Sequence, residues 1–223
     1  MTEEAFEVSV EGAGTVSVLK TAAGQSRSNL IFIYAPGAGS NLDDAFGAFC
    51  ARRLADEGIE AWRFQFPYMQ AKRGGPDRSP VLEATWRAVL REALTGDSRV
   101  VIGGRSMGGR IASYLAAQQA PIAGLALFAY PLHPPGRPEQ TRDAHLRTIE
   151  APTLFCSGSR DVYASPEEMS SAAALVKHSW VHLLDGADHG FAVLKSSGRT
   201  RDDVYTEAVD ALLSFIGSLK TAS

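Results

Sequence analysis

The sequence has few cysteines, little net charge and no long hydrophobic run, and each absence excludes a class of protein. Two cysteines in 223 residues, Cys50 and Cys156, cannot build a disulfide framework. A formal net charge of −3 leaves no basic surface of the kind that binds nucleic acid. No apolar stretch approaches the roughly 20 residues that span a bilayer. We therefore expect no nucleic-acid partner and no membrane partner.

The first residues, Met-Thr-Glu-Glu-Ala-Phe, contain neither the basic segment nor the apolar segment of a signal peptide. The low cysteine content suits a reducing compartment. Together these two features predict a cytoplasmic protein.

Apolar strands alternate with amphipathic helices along most of the chain. The first two strands form a predicted hairpin, Phe6–Glu11 with Thr15–Leu19. Further strands are predicted at Leu30–Ala35, Ile59–Phe66, Arg99–Ile102, Ile122–Ala129, Thr153–Ser157 and Trp180–Leu184. Helices are predicted at Asp43–Glu57, Val81–Leu94, Arg110–Gln119, Ser165–Val176 and Asp202–Leu219, and Pro67–Ser79 is predicted to be a loop. This alternation predicts an α/β fold, a mostly parallel sheet with helices on both faces, whose sites lie beyond the carboxyl ends of the strands.

A G-x-S-x-G motif at Gly104–Gly108 lies between a predicted strand and a predicted helix. Strand, tight turn and helix are the context of a nucleophile elbow, which exposes a serine hydroxyl above the sheet. The motif predicts that Ser106 is a nucleophile and that the backbone N–H of Met107 is an oxyanion donor. A glycine-rich turn can also serve packing alone, so the prediction requires a base and an acid downstream.

Two candidates follow later strands in the required order. Asp161 comes after Thr153–Ser157, and His189 comes after Trp180–Leu184. Nucleophile, acid and base occur in this order in α/β-hydrolases. Asp161 also suits the cap of the next helix, and Asp185 and Asp188 compete with it for the role of the acid.

The chemistry needs all three groups because a serine hydroxyl is almost wholly protonated near neutral pH. An imidazole must take that proton and later deliver it to the leaving group. The carboxylate holds the imidazole in the correct tautomer and stabilises its protonated form.

The glycine-rich loop Pro36–Gly39 follows the strand Leu30–Ala35. A second oxyanion donor should come from this loop, and the N–H of Ala38 is our candidate, with that of Gly39 as runner-up. The loop has neither the spacing nor the lysine of a phosphate-binding loop. We therefore expect no nucleotide at this loop. We also expect no other cofactor and no metal.

From about Leu30 to Leu219 the chain resembles the α/β-hydrolase superfamily, and within it the small dienelactone-hydrolase-like proteins. The shared motifs are G-G-R-S-M-G-G-R, F-P-Y and Y-P-L-H-P-P, at Gly103–Arg110, Phe66–Tyr68 and Tyr130–Pro135. The resemblance implies one domain over residues 1–223, with edge strands in 1–29 and the catalytic core in 30–219. It also implies an α/β-hydrolase fold with a twisted sheet of about seven to eight strands and no lid domain.

The family's nucleophile, acid and base carry over onto Ser106, Asp161 and His189. Dienelactone hydrolase itself has cysteine at the elbow, whereas this chain has serine. The resemblance implies a serine hydrolase that cleaves small esters or thioesters through an acyl-enzyme. Some relatives of this branch are subunits of chromatin complexes, so a binding or scaffold protein on the same fold is the alternative function.

The segment Pro131–Glu150 is too short to form a helical cap, which predicts an open, shallow pocket. We expect its substrate-binding lining to include Gly37, Gly39, Phe66, Tyr68, Arg105, Tyr130, His133 and Phe191. Arg105 and Arg110 are each open to two interpretations. Either guanidinium can bind a substrate carboxylate, or it can pair with an acidic residue of the fold.

Overall fold

Strand β3, Leu30–Ala35, is buried along its whole length and shows how the sheet divides the core. Leu30, Phe32 and Tyr34 face one apolar cluster, whereas Ile31, Ile33 and Ala35 face the other. Successive strand residues point to opposite faces, so a strand that is apolar at every position is covered on both sides. The sheet therefore lies between two layers of helices.

The computed structural model describes residues 2–24 and 29–219. Besides β3, the strands are β1 Thr2–Val10, β2 Gly14–Ala22, β4 Glu60–Phe64, β5 Arg99–Arg105, β6 Gly124–Phe128, β7 Thr153–Gly158 and β8 Ser179–Leu184. The helices are α1 Ala45–Asp56, α2 Pro67–Gln70, α3 Ser79–Ala93, α4 Met107–Ala117, α5 Pro166–Ala173 and α6 Arg201–Leu219.

The eight described strands form one sheet in the order β1-β2-β4-β3-β5-β6-β7-β8. β1 and β2 form an antiparallel hairpin, and β2 joins β4 in antiparallel register. Every other pairing is parallel. Helices α1 and α6 cover one face of the sheet, and α3, α4 and α5 cover the other. The predicted fold class, a mostly parallel sheet with helices on both faces, is confirmed.

Several predicted bounds differ from the structure by a few residues, as at β1, which begins at Thr2 rather than at Phe6. Two other differences concern the helices α2 and α4. The short helix α2 occupies the start of the segment Pro67–Ser79, where a loop was predicted. Four residues make too short a window for helical periodicity to show, and proline at the first helical position is its one local signal. Helix α4 begins at Met107, three residues earlier than predicted, directly after Ser106. The first turn of α4 contains Gly108 and Gly109. Because glycine is typical of tight turns, the sequence pattern assigns these residues to the loop before the helix.

Within residues 2–24 and 29–219, no lid domain covers the carboxyl edge of the sheet. Between β6 and β7 the chain crosses residues 129–152 with one short 3-10 helix, Ala144–Thr148. Of the helices in the described ranges, none combines the length and the apolarity needed to cross a bilayer.

Candidate active site

Ser106 occupies the turn between β5 and α4 in a strained backbone conformation. Its φ is 51° and its ψ is −118°, a region that L-residues rarely adopt. The turn is held on both sides, because Ser106 N–H donates to the carbonyl of Phe128 at 2.8 Å and its own carbonyl accepts from Arg110 N–H at 2.9 Å. The surrounding backbone thus fixes a conformation that projects the hydroxyl from the end of the sheet.

Glycine is required at two positions beside Ser106 because the backbone approaches so closely there. A Cβ on Gly108 would fall on the carbonyl oxygen of Ala35 and within 2.5 Å of that of Pro36. A Cβ on Gly104 would meet Ala35 and lie 2.9 Å from the backbone of Gly108. The two glycines therefore let the loop after β3 lie against the start of α4.

The structure brings Ser106, His189 and Asp161 together. His189 Nε2 lies 3.0 Å from Ser106 Oγ, and His189 Nδ1 lies 2.8 Å from Asp161 Oδ2. The Asp161 side chain is wholly buried, whereas a quarter of the His189 side chain is exposed. The second oxygen of Asp161 accepts a bond from Tyr163 N–H at 2.9 Å. This is the geometry of an activated nucleophile, a base and an orienting carboxylate.

The two competing carboxylates lie elsewhere. Asp188 Oδ1 accepts from the N–H groups of Gly190 and Ala192, each at 2.9 Å, so it closes its own turn. Asp185 receives a weak contact from Ser159 Oγ at 3.5 Å. In the described part of the chain, neither carboxylate bonds to His189.

The loop after β3 offers a backbone N–H that is available to bind an oxyanion. Among the described residues no acceptor pairs with Ala38 N–H, whereas Gly39 N–H donates to the phenol oxygen of Tyr68 at 2.9 Å. Met107 is the first residue of α4, so its N–H has no acceptor within the helix. Ala38 and Met107 both line the cavity that contains Ser106, so their free donors fit an oxyanion hole better than Gly39 does.

An open cavity of about 290 Å³ lies over Ser106. It is formed by the loop after β3, the segment before α3, the start of α4 and the crossing between β6 and β7. Its described lining residues are Ala38, Pro76, Asp77, Ser79, Leu82, Ser106, Met107, Arg110, Ile111, Pro131, Arg142 and Tyr163. The cavity has the size of a small-molecule pocket.

Three aromatic residues predicted to bind substrate do not line this cavity, and the prediction is wrong for them. Phe66, Tyr130 and Phe191 are fully buried. Phe66 packs on Phe64 with ring centroids 5.3 Å apart, and Phe191 packs on Phe46 at 5.1 Å. Burial of these large apolar surfaces in the core is favoured over contact with an open site.

Tyr68 and His133 also lie outside the cavity lining, which corrects their predicted contact with substrate. Tyr68 is 1% exposed, and its hydroxyl holds Gly39 N–H. Burial raises the pKa of Tyr68, which keeps this hydroxyl neutral. His133 is buried with Nε2 3.2 Å from Glu168, and a hydrogen bond to the Pro134 carbonyl, followed by that carboxylate, raises its pKa. Both side chains support loops at the edge of the sheet.

Of the two glycines predicted to bind substrate, Gly37 lies closest to the nucleophile. A Cβ on Gly37 would sit 3.6 Å from Ser106 Cβ, ordinary contact, so this position faces the elbow without crowding it. Neither Gly37 nor Gly39 is among the cavity-lining residues.

Arg105 pairs with the fold rather than facing a substrate, so its predicted binding role is wrong. Its Nη2 lies 3.0 Å from Asp44 Oδ1, and the Asp44 side chain is 4% exposed. Asp44 also accepts from the Tyr34 hydroxyl at 2.6 Å and from Gly47 N–H at 2.8 Å. One carboxylate therefore caps α1 and anchors the residue that precedes Ser106.

Sequence reasoning missed Tyr163 and Arg142. The Tyr163 ring lies against His189 with centroids 4.1 Å apart and planes at 34°. Its position two residues after Asp161 is a signal that was available. Arg142 comes from an irregular polar segment, where no periodicity indicates which side chain faces the site.

No cluster of three or more His, Cys, Asp or Glu side chains in the described part of the chain is arranged to hold a metal ion.

Comparison with known proteins places these features in a family. The sequence model of a family described as an alpha/beta hydrolase domain matches residues 28–217. A serine hydrolase homologue from Coxiella burnetii has a similar structure, with a TM-score of 0.76 and 21% identity, covering 95% of this chain and 98% of that one. A serine hydrolase without a lid from Xanthomonas campestris has a TM-score of 0.74 and 17% identity, covering 96% and 95%.

A thermophilic esterase from Thermogutta terrifontis has a TM-score of 0.70 and 15% identity, covering 97% of this chain and 99% of that one. At such low identity these structures establish the shared fold.

Proposed function

The chain belongs to the alpha/beta hydrolase domain family, and we propose that it is a serine hydrolase that cleaves small carboxylic esters or thioesters through an acyl-enzyme. The observation that carries the proposal is the hydrogen-bonded series from Ser106 Oγ through His189 to Asp161. The esterase among the similar structures supports ester chemistry by analogy of fold.

In the first half of the proposed reaction, His189 Nε2 takes the proton of the Ser106 hydroxyl as Oγ attacks the substrate carbonyl. The carbonyl oxygen gains the negative charge, which the N–H groups of Ala38 and Met107 stabilise. The protonated His189 then gives its proton to the leaving alcohol or thiol, and the acyl group remains on Ser106.

In the second half, a water molecule loses a proton to His189 and attacks the acyl carbon. The tetrahedral intermediate collapses, Ser106 Oγ regains the proton, and the carboxylic acid leaves. Asp161 stabilises the positive imidazole in both halves, which is consistent with its burial beside Nδ1.

Labelling with a fluorophosphonate probe tests the proposal. The wild-type protein should become labelled, and Ser106→Ala should not, because the probe needs the activated Oγ. Ser170→Ala, at an exposed serine of α5, is the matched control and should label as the wild type does. The wild type and Ser170→Ala should then hydrolyse a panel of short acyl esters, whereas Ser106→Ala should not. An unlabelled, inactive wild type would favour the scaffold alternative.

The family match and the continuous sheet support one domain, with edge strands in 1–29 and the catalytic core in 30–219. The short segment Pro131–Glu150 favours a small-molecule substrate, and the low cysteine content favours a cytoplasmic location; both stay predictions.

A further inference from the structure

Two arginines line the cavity above Ser106. Arg110 lies on the first turns of α4, and Arg142 lies on the crossing between β6 and β7. Both side chains are half-buried. The cavity that holds the nucleophile therefore has guanidinium groups on two of its walls.

Both guanidiniums have neutral partners. Arg110 Nη1 donates to the Tyr114 hydroxyl at 2.8 Å, and Arg142 Nη1 donates to the Pro131 carbonyl at 3.1 Å. Among the described residues no carboxylate lies within 4.0 Å of either group. Each guanidinium has five N–H donors, so most of its donors have no partner in the part of the chain that the structure describes. Arg105, by contrast, is paired with Asp44.

The carboxylate in the cavity lining does not neutralise these arginines. The Asp77 side chain is 8% exposed, and Arg73 Nη2 pairs with its Oδ1 at 2.6 Å. Its second oxygen accepts from Tyr68 N–H at 2.9 Å. Asp77 is thus committed to a cation outside the cavity lining, and the lining has an excess of positive charge.

The two arginines are held in place by their neighbours. The Tyr114 ring that receives Arg110 packs edge-on against His145 with centroids 4.5 Å apart, and His145 Nε2 lies 2.8 Å from Ser113 Oγ. The backbone of Arg142 is fixed on both sides, because its N–H donates to Leu132 at 2.7 Å and its carbonyl accepts from the Tyr130 hydroxyl at 2.6 Å. Groups positioned in advance bind a ligand with a smaller loss of entropy.

We propose that Arg110 and Arg142 form a subsite for an anionic group, so that the preferred substrates are short esters that carry a carboxylate or a phosphate. This inference rests on the proposed serine hydrolase function. A planar guanidinium binds either oxyanion through two parallel hydrogen bonds, and partial exclusion of water strengthens the attraction. The small cavity places the anion within a few bonds of the ester that Ser106 attacks.

A matched pair of substrates tests the subsite. Monoethyl succinate and ethyl succinamate differ in that one has a carboxylate where the other has a neutral carboxamide. The wild type should show a ratio of kcat/KM of roughly tenfold or more in favour of the succinate ester. The ratio should approach one in Arg110→Gln/Arg142→Gln, and added salt should reduce it in the wild type. Arg52→Gln, an exposed arginine of α1, is the control and should keep the wild-type ratio.

A binding measurement separates failure of the subsite from failure of the catalytic proposal. Succinate and inorganic phosphate should each raise the thermal unfolding midpoint of Ser106→Ala, whereas succinamide should not. The larger of the two shifts identifies the preferred anion. The shift should vanish when Arg110→Gln/Arg142→Gln is added, or when Arg142→Gln alone is added if the double variant does not fold.

Equal cleavage of the two ethyl esters by the wild type would overturn the subsite and leave the serine hydrolase standing. Absence of both anion shifts would overturn it whether or not any ester is cleaved. If the wild type cleaves neither ester while Ser106→Ala still binds the anions, the catalytic proposal is refuted and the anion subsite remains.

Discussion

Tyr163 contacts both partners of the nucleophile. Its backbone N–H donates to Asp161 Oδ1 at 2.9 Å, and its ring lies against the imidazole of His189 at 4.1 Å between centroids. The acid and the base are thus fixed by one residue, which also lines the cavity. The position of the imidazole depends on its packing as well as on its hydrogen bonds.

Asp161→Asn should preserve the fold and abolish most activity. The amide cannot hold His189 in the tautomer that accepts a proton at Nε2, and loss of this carboxylate in the serine protease triad costs about 10⁴-fold in kcat. Initial rates on a short p-nitrophenyl ester measure the effect. Asp185→Asn is the control and should keep wild-type rates, since Asp185 makes no contact with His189. A crippled Asp185→Asn beside an active Asp161→Asn would mean that the acid is misplaced.

Gly108→Ala should damage the elbow. The added methyl would collide with the carbonyls of Ala35 and Pro36, so the loop that carries Ala38 must move. Overpacking of this kind costs about 1–3 kcal/mol of stability, and loss of one oxyanion donor costs about 100-fold or more in kcat. Urea denaturation and ester hydrolysis measure the two effects.

Gly217→Ala is the control for this substitution, because nothing lies within 4 Å of its Cβ position on the exposed side of α6. Gly217→Ala should raise the free energy of unfolding by about 0.5–1 kcal/mol, because alanine restricts the unfolded chain more than glycine does. If Gly108→Ala is active and as stable as the wild type, the close approach of Ala35 and Pro36 to Gly108 is disproved.

Asp44→Ala should destabilise the protein although Asp44 lies outside the cavity lining. The change removes the cap of α1 and leaves Arg105 half-buried without its carboxylate, a loss of about 3 kcal/mol or more. The free energy of unfolding, measured in urea, gives the size. Asp43→Ala, at the exposed neighbouring position, should stay within about 0.5 kcal/mol of wild type. Equal stabilities for the two variants would contradict the role assigned to Asp44.

The half-buried His145 should make the protein sensitive to mild acid. Burial, reinforced by the charge of Arg110, lowers its pKa to about 4, whereas an unfolded histidine titrates near 6.5. Between these values the unfolded chain binds a proton that the folded chain excludes, so stability falls as the pH falls. The slope from this one site is at most about 1.4 kcal/mol per pH unit.

His145→Gln should flatten this part of the stability curve, because glutamine keeps a polar group near Ser113 without titrating. His178→Gln, at an exposed histidine, should leave the slope as in wild type. Thermal unfolding midpoints from pH 7 to pH 4 decide the matter. Identical slopes for wild type and His145→Gln would show that His145 does not control it.

Short acyl chains should be preferred. The cavity of about 290 Å³ is open, and none of the described elements forms a lid over it, so a long acyl chain would remain in water. Each methylene that stays exposed forgoes about 0.8 kcal/mol of binding. Across p-nitrophenyl esters, kcat/KM should peak between acetyl and butyryl and then level off or fall. A steady rise toward long chains would reveal an apolar channel.

The sequence was sufficient to predict the parallel sheet and the placement of Ser106, Asp161 and His189 at one edge of it. These features depend on local patterns and on the rule that the carboxyl ends of parallel strands meet at one edge. It was not sufficient for the environment of each side chain. The prediction failed for Phe66 and Phe191, which are buried in the core. An aromatic residue near the end of a strand can face either the core or the site, and the sequence pattern does not distinguish the two.

Long-range pairing explains the other misses. Arg105 is bound by Asp44, which lies 61 residues earlier in the chain, and nothing near Arg105 indicates that partner. Arg142 reaches the cavity from the irregular stretch that precedes the 3-10 helix Ala144–Thr148, where no periodicity determines the direction of a side chain.

The hairpin of β1 and β2 has a consequence for solubility. It precedes the family match, which begins at residue 28, and it closes the open edge of β4 through the pairing of β2. Its outer strand carries Glu4 and Glu7, exposed like charges that discourage another strand from joining. A chain that began at residue 29 would expose the backbone of β4 beside Trp62. Such molecules would grow sheets with one another and precipitate, although every residue around Ser106 would still be present.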